Sequence, residues 1–332
     1  MRLSILDLSP VPSGKSPAEA LASTIDLARH AEALGLERYW LAEHHNAASM
    51  ASSSPEILIA SIAMVTKTLR VGSGGIMLPN HSPLKVAEIF RVLHALHPGR
   101  IDLGIGRAPG TDAKTALALR RVRELVTNDT FPEQLVELLR YLTHDPDPTV
   151  PFGEVKAVPT RVPPPALFLL GSGMASGGLA AEHGAGFAFA HHFSPGEAAA
   201  SMLRYRETFR PSAQRAAPYA ILAVAAICGE TDAHAEALAS SGELSWLRFG
   251  RGLRDLPLPS VEEAAAHERH PDDEPYRAMQ RDKLICGEPT RVADRLRALA
   301  EETKADEVMV TSTVHDHDER KRVYDRLRRA LG

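Results

Sequence analysis

The chain has 332 residues, 44% hydrophobic and 24% charged, which is ordinary for a soluble globular protein and long enough for two average domains or one (β/α)8 barrel. Formal net charge is -4 with acidic and basic residues interspersed, so no electrostatic footprint for nucleic acid or an anionic membrane stands out, and a small-molecule partner is expected. Cys228 and Cys286 lie far apart and outside any metal-spaced pair, the first residues lack a signal-peptide pattern, and no run approaches ~18 apolar residues; a reducing cytoplasm is the expected setting.

Leu3 to Leu8 alternates as a short buried strand, and Pro10-Val11-Pro12-Ser13-Gly14 breaks it. Ser16-Pro17-Ala18-Glu19 then starts a helix, with Ser16 at the N-cap, Pro17 at the first helical position and Glu19 closing a capping box. Leu21, Ile25, Ala28 and Ala31 share one face of it, up to Leu34 and the stop at Gly35. Arg38 to Ala42 follows as a strand, which completes a β-α-β unit.

The unit repeats. Ser54-Pro55-Glu56 starts a helix through Thr66, Leu69 to Met77 reads as a strand, Ser82-Pro83-Leu84 starts a helix to Leu96, and Ile101 to Gly106 is the next strand. Near-continuously apolar strands and amphipathic helices are what a parallel sheet covered by helices requires. Arg107 to Thr130 is loop-like and then charged-helical; after a helix from Pro132 to Leu142, the Pro-rich stretch Pro146 to Pro165 reads as a lid or insertion. The rhythm resumes with strand Leu167 to Leu170, helix Ala175 to His183, strand Phe187 to Ala190, helix Pro195 to Phe209 and strand Tyr219 to Ile227. Thr231 opens a helix, Gly250 to Pro275 is irregular, Thr290 to Glu302 is helical, Glu307 to Thr311 is an eighth strand and Asp318 to Leu331 a closing helix. Eight such strands fit a closed barrel, and a doubly wound open sheet gives the same local pattern.

In a βα barrel the working groups lie at the C-terminal ends of strands. Those ends collect Glu43, His44 and His45; Gly74, Gly75 and Met77; Gly106 and Arg107; Gly171, Ser172 and Gly173; His191 and His192. Adjacent strand residues face opposite ways, so at most one of His44 and His45 looks inward, and the pair also fits a core histidine beside a wet one. Gly171-Ser172-Gly173 followed by Met174-Ala175-Ser176 gathers free N–H groups, two hydroxyls and a helix N-terminus, a way to grip phosphate to which Arg107 adds charged donors; a plain tight turn uses the same glycines. Gly72-Ser73-Gly74-Gly75 interrupts an apolar strand, as glycines do at a bulge or where a ligand comes close. Leu41, Met50, Met77, Leu78 and Phe193 suggest an apolar pocket wall.

Tyr39 to His45, Val71 to Pro79, Gly99 to Arg107 and the Gly171-Ser172-Gly173 loop, in this order and spacing, resemble the bacterial luciferase-like flavin monooxygenases, with similarity running on to Asp306-Glu307-Val308-Met309-Val310. The resemblance implies a single (β/α)8 barrel over residues 1–332, with irregular insertions near 107–130, 146–165 and 250–275, and usually a dimer, here a homodimer. It implies reduced FMN delivered by a separate flavin reductase, addition of O2 at the flavin C4a, and attack of the resulting peroxide on an organic substrate. By the same resemblance Gly74-Gly75 matches a non-proline cis peptide under the flavin ring, with Met77 beside it. Arg107, Ser172, Gly173 and Ser176 match the phosphate region, His191 falls where an aromatic flanks the flavin, and His44 matches the catalytic histidine. An imidazole of ordinary pKa, about 6.5, has both forms available near neutrality. Glu43 would orient that imidazole or close a hydrogen-bond network.

One departure bears on activity: the position of a reactive cysteine in luciferase matches Gly106, so light emission is not implied. Three other readings compete. A deazaflavin, F420, could carry hydride on the same barrel, or the chain could bind flavin without catalysis. A metal-dependent hydrolase could draw on His44, His45, His81, His191, His192, His315 or His317, although barrel hydrolases usually pair imidazoles at i and i+2, which His44-His45 lacks.

Overall fold

Eight parallel staves close into a barrel in the computed structural model, which describes residues 1–121, 129–268 and 270–332. They are β1 (Leu3–Asp7), β2 (Arg38–Leu41), β3 (Arg70–Ser73) continued by β4 (Ile76–Met77), β5 (Ile101–Gly106), β6 (Ala166–Gly171), β7 (Gly186–Ala190), β8 (Ala220–Cys228) and β10 (Glu307–Thr311). Local pattern left barrel and open sheet undecided; pairing decides it. Leu3 lies opposite Val308 and Glu307 opposite Ile221, so β10 joins β1 to β8 and the sheet has no gap. A further strand, β9 (Leu284–Gly287), extends the C-terminal half of β8, with Ala225 opposite Leu284. Its apolar run is too short to be read by periodicity.

Helices fill the return path of each crossover and begin at the expected Ser-Pro starts, with Ser16 forming the expected capping box while the Ser54 and Ser82 side chains make no cap bond. The Ser16 hydroxyl accepts from the Glu19 N–H at 3.2 Å while the Glu19 carboxylate accepts from the Ser16 N–H at 2.8 Å, so helix Pro17–Ala33 begins with two orphan donors satisfied. The expected strand Leu69 to Met77 is split in two, and between its halves the Gly74–Gly75 peptide is cis. No described helix is long and apolar enough to cross a membrane.

Strand alternation separates two cores. On β2, Tyr39 and Leu41 pack outward with helix residues such as Leu27 and Ile59, whereas Trp40 and Ala42 pack inside the barrel with Leu6, Phe168, Ile221 and Met309. Below that apolar layer the barrel is plugged by charge. Arg38, 4% exposed, donates to Asp102 at 2.6 Å and to Glu307 at 2.7 Å, and both carboxylates are wholly buried. Above it, Gly74, Gly106, Ala190 and Ala225 replace large residues and leave space.

The Pro-rich 146–165 segment is an insertion without being a lid. It leads into the N-terminal end of β6, none of its residues reaches the space inside the barrel, and Arg91 clamps it through the carbonyls of Pro159 (2.8 Å) and Val162 (2.9 Å). In the 107–130 segment, helix Ala113–Arg120 is capped by Asp112, and residues 122–128 fall outside the described residues. The 250–275 segment holds the short helix Val261–Ala266 and packs on the first loop, with Leu258 and Ser13 each donating an N–H across a pair of 2.8 Å bonds.

Candidate functional site

A cavity of about 420 Å³ sits at the C-terminal ends of the strands, within the roughly 300–1,000 Å³ range of small-molecule sites. Leu6, Trp40 and Met309 form its apolar floor, and His44, Gly74, Met77, Arg107, Ser172, Ser176 and His192 lie around its wall.

The inward phase of β2 continues past its last paired residue, through Ala42 to His44, which therefore faces the cavity. Among the described residues its buried Nδ1 has no hydrogen-bond partner. Burial pushes the imidazole down to about 4, against the raising influence of the Glu43 charge, so His44 is neutral near pH 7. The sequence alone leaves both protonation states available there; desolvation removes the cationic one.

Glu43 takes the opposite phase and does not touch the His44 ring. Wholly buried, it accepts from the Met77 N–H (2.8 Å), from His45 Nε2 (2.9 Å) and from His81 Nε2 (2.9 Å). Burial works to raise its pKa, but the bonds from His45 and His81 outweigh that and hold it near 2. His81 feels the reverse: burial would lower it, and its bond to Glu43 brings it above the ordinary value. Of the two roles expected for Glu43, orienting His44 is not what the geometry provides; it closes a network on the outer side of the wall that fixes the Met77 backbone.

His191 requires correction. On β7 the inward residues are Ala188 and Ala190, so the next in phase is His192, which lines the cavity, while His191 is buried outside it near Arg295 and Glu302. His192 Nδ1 lies 3.1 Å from the Ala223 carbonyl oxygen. A carbonyl only accepts, so Nδ1 carries the proton. Burial takes this ring down to about 4 as well, leaving Nε2 as an acceptor.

Of the cis pair, Gly75 is required by packing against backbone, while at Gly74 the close neighbour is the movable end of a leucine. A β-carbon on Gly74 would stand 2.6 Å from Leu6 Cδ1, and one on Gly75 would stand 2.7 Å from the Gly104 carbonyl oxygen. Gly74 lines the cavity; Gly75 sits behind it against β5. Arg107 is at the rim, 56% exposed and 3.2 Å from Asp129. Ser172 and Ser176 line the same wall, and Gly173 is one step back as the N-cap of helix Met174–Glu182, which makes no side-chain cap hydrogen bond, with the Glu197 carboxylate nearby.

Met77 and Phe193 are on the wall as expected for an apolar pocket, but Leu41 and Leu78 are buried in the outer core and Met50 lines a smaller neighbouring hollow. Leu6, Trp40, Thr311 and Thr313 were legible from strand phase and were missed. Trp246 and Lys283 come from a helix and from the turn before β9, where strand-end logic does not reach. His44 and His45 face opposite sides of the wall, His315 bonds to Ser13 at 3.2 Å and His317 to Asp26 at 2.8 Å, so the hydrolase set is dispersed. Among the described residues no group of three or more His, Cys, Asp or Glu is arranged to hold a metal ion.

Relatives carry the same architecture. An uncharacterised protein of Bacillus subtilis (strain 168), YceB, is 43% identical over 328 residues, covering 98% of each chain. The N-acetyl-S-alkylcysteine monooxygenase of the same organism is 34% identical over 338 residues, covering 100% of this chain and 98% of its own. The crystal structure of apo-MsnO8 superposes with a TM-score of 0.89 at 39% identity, covering 99% of this chain and 98% of that one. At the level of fold alone, the oxygenating constituent of 3,6-diketocamphane monooxygenase in complex with FMN (18% identity, TM-score 0.68) and an F420-dependent secondary alcohol dehydrogenase (14%, 0.66) share the barrel. The sequence profile of luciferase-like monooxygenases matches residues 1–307, and the chain belongs to that family.

Proposed function

We propose that the protein is a flavin-dependent monooxygenase that takes reduced FMN from a separate reductase, with O2, and oxidises a small, largely apolar organic substrate. What supports this is that one cavity joins Arg107, Ser172 and Ser176 to His44 past Gly74. A planar ring needs a wall without side chains, and Gly74 offers one; a phosphate needs donors, and the guanidinium, two hydroxyls and an uncapped helix N-terminus offer them. The residues present thus fit FMN.

Bound reduced FMN supplies two electrons for activating O2, one oxygen atom going to the substrate and the other leaving as water. Arg107, Ser172 and Ser176 would hold its phosphate, with Gly173 opening the helix behind them. Gly74 and Gly75 keep the wall flat, and the bond from the Met77 N–H to Glu43 keeps that wall in place. Neutral His44 accepts a proton and gives it back, its charged form disfavoured by burial. His192 Nε2 is a second acceptor. Leu6, Trp40 and Met309 exclude water from below.

Anaerobic titration tests the reading. Reduced FMN should bind saturably and more tightly than reduced riboflavin, and with a reductase, NADH and air the complex should release hydrogen peroxide when no substrate is present. No saturable association with any flavin would refute it. Tighter binding of F420 than FMN would turn the assignment to hydride transfer, and FMN binding with neither peroxide nor product would make the chain a flavin carrier.

A further inference from the structure

One side of the cavity wall is built from helix Asp232–Gly250 and β9 rather than from the strand tips around Arg107 and Ser172, and the charges there do not balance. Glu243 is the carboxylate on this wall, and it is already held by Arg277 at 2.8 Å and Arg281 at 3.0 Å. Arg281 in turn also holds Glu236 at 3.0 Å, and Arg107 across the cavity is paired with Asp129. Lys283 is different. Among the described residues it has neither an ion pair nor a side-chain hydrogen bond, although it lines the cavity and is half-buried.

Position 283 is the turn residue immediately before Leu284, which pairs with Ala225 of β8, so it is anchored next to a strand at the cavity wall. The ammonium charge also acts on the His192 ring, as does His44, so His192 lies within electrostatic reach of each of them. Both imidazoles are neutral, so neither competes as a cation for an anion entering the cavity. Trp246 and Leu284 on the lining of the same cavity add apolar surface, and in a low-dielectric setting an unpaired charge gains more from a partner than it does in water.

We propose that Lys283 forms an anion subsite of this cavity: the substrate is an organic acid, with an apolar body toward His44 and a carboxylate or sulfonate paired with the Lys283 ammonium. This rests on the cavity being the substrate site of the monooxygenase proposed above, and it narrows the substrate class.

Matched probes test it. Hexanoate, octanoate and hexanesulfonate are compared with 1-hexanol and 1-octanol by calorimetry or ligand-observed NMR, with and without oxidised FMN. The acids should bind about tenfold or more tightly than the alcohols of equal length, as for one charge-assisted contact, and the difference should shrink with added salt. Lys283→Met should abolish the difference while leaving the alcohols and FMN as they were, and Lys283→Arg should keep most of it. Equal affinity for acid and alcohol, no binding of any probe, or an undiminished difference in Lys283→Met would overturn the proposal. So would a Lys283→Met protein that loses affinity for FMN but not riboflavin, since the lysine would then serve the cofactor phosphate. The acid–alcohol comparison without flavin is read independently of flavin binding, so failure here and failure of the monooxygenase reading are separate results.

Discussion

Glu43 and His44 are neighbours in the chain and face opposite sides of the barrel wall: the carboxylate is sealed among Met77, His45 and His81, and the imidazole lines the cavity with its Nδ1 unpartnered among the described residues. Strand alternation produces this division. It separates a group that holds the wall from a group that can exchange a proton.

His44→Ala should leave FMN affinity nearly intact and lower turnover by ~10²–10⁴, the usual worth of a general acid–base group. The pH dependence follows from burial. With the folded-state pKa of His44 near 4 against an ordinary 6.5, the acid limb of kcat/KM should fall near pH 4 to 5, with no break at 6.5. Stability carries the same sign. Between pH 6.5 and 4 the unfolded chain binds protons at His44 and His192 that the folded chain refuses, so stability is full above 6.5 and declines toward 4. A break in activity at 6.5, or unchanged turnover in His44→Ala, would take this residue out of the mechanism.

Glu43→Gln tests the network. The amide keeps the shape but loses the charge that His81 leans on, so unfolding free energy should drop by ~2–3 kcal/mol, and less below pH 5 as protonation of unfolded carboxylates already weakens the parent. Glu43 is held near 2 when folded, so its contribution is present above the ordinary carboxylate pKa and lost as pH falls through 2. The acid limb of activity assigned to His44 should not move. If it shifts by a unit or more, the carboxylate acts on His44 after all.

Much of this was open to reading. Serine followed by proline marks the helix starts at Ser16, Ser54 and Ser82, and mostly apolar runs mark the eight staves, because strands buried on both faces are largely apolar; Asp7, Arg38, Asp102 and Glu307 are the buried charged exceptions on them. Phase was harder. Which of two adjacent histidines looks inward depends on strand register, and at β7 the alternation of alanine inside with Phe187 and Phe189 outside was the available clue for His192 over His191. Closure of the sheet, the short β9, and the arrival of Trp246 and Lys283 at the cavity depend on pairings distant in sequence, which local patterns do not encode.

Arg107→Ala should weaken FMN binding about tenfold, in line with losing one charge-assisted contact from an exposed guanidinium, and leave riboflavin binding unchanged. The comparison isolates the phosphate. An equal loss for both flavins would mean that Arg107 shapes the rim rather than meeting the phosphate.

The expected homodimer has a candidate face. Ile57 (63% exposed) and Met64 (73%) are seven residues apart on helix Pro55–Val65, and Val92 and Leu96 (65%) are four apart on helix Pro83–Leu96, which packs beside it. Exposed apolar groups concentrated on two adjoining helices are characteristic of an interface. Met64→Glu with Leu96→Glu should turn a dimer into a folded monomer by sedimentation; a parent already monomeric at micromolar concentration would rule out this face.

Arg38 is the strongest stability test, because it lies at the centre of the charged plug beneath the cavity floor. Its guanidinium bridges Asp102 and Glu307, Trp40 Nε1 donates to Asp102 at 3.0 Å, and Tyr219 donates to Glu307 at 2.7 Å. Burial would strip its proton, and the two carboxylates keep it charged. Arg38→Met removes the cation and leaves Asp102 with Arg70 and the Trp40 Nε1–H, and Glu307 with the Ser4 and Tyr219 hydroxyls in place of a guanidinium. The expected loss is ~3–5 kcal/mol, the cost of breaking a buried pair from one side. Arg38→Met combined with Glu307→Gln should recover part of it, since the stranded charge goes too. Because Trp40 spans the plug and the cavity floor, the single variant should also loosen FMN binding while the double variant restores it. A loss under about 1 kcal/mol in denaturant titration would mean that water already reaches the plug and that the floor is held by its apolar layer alone.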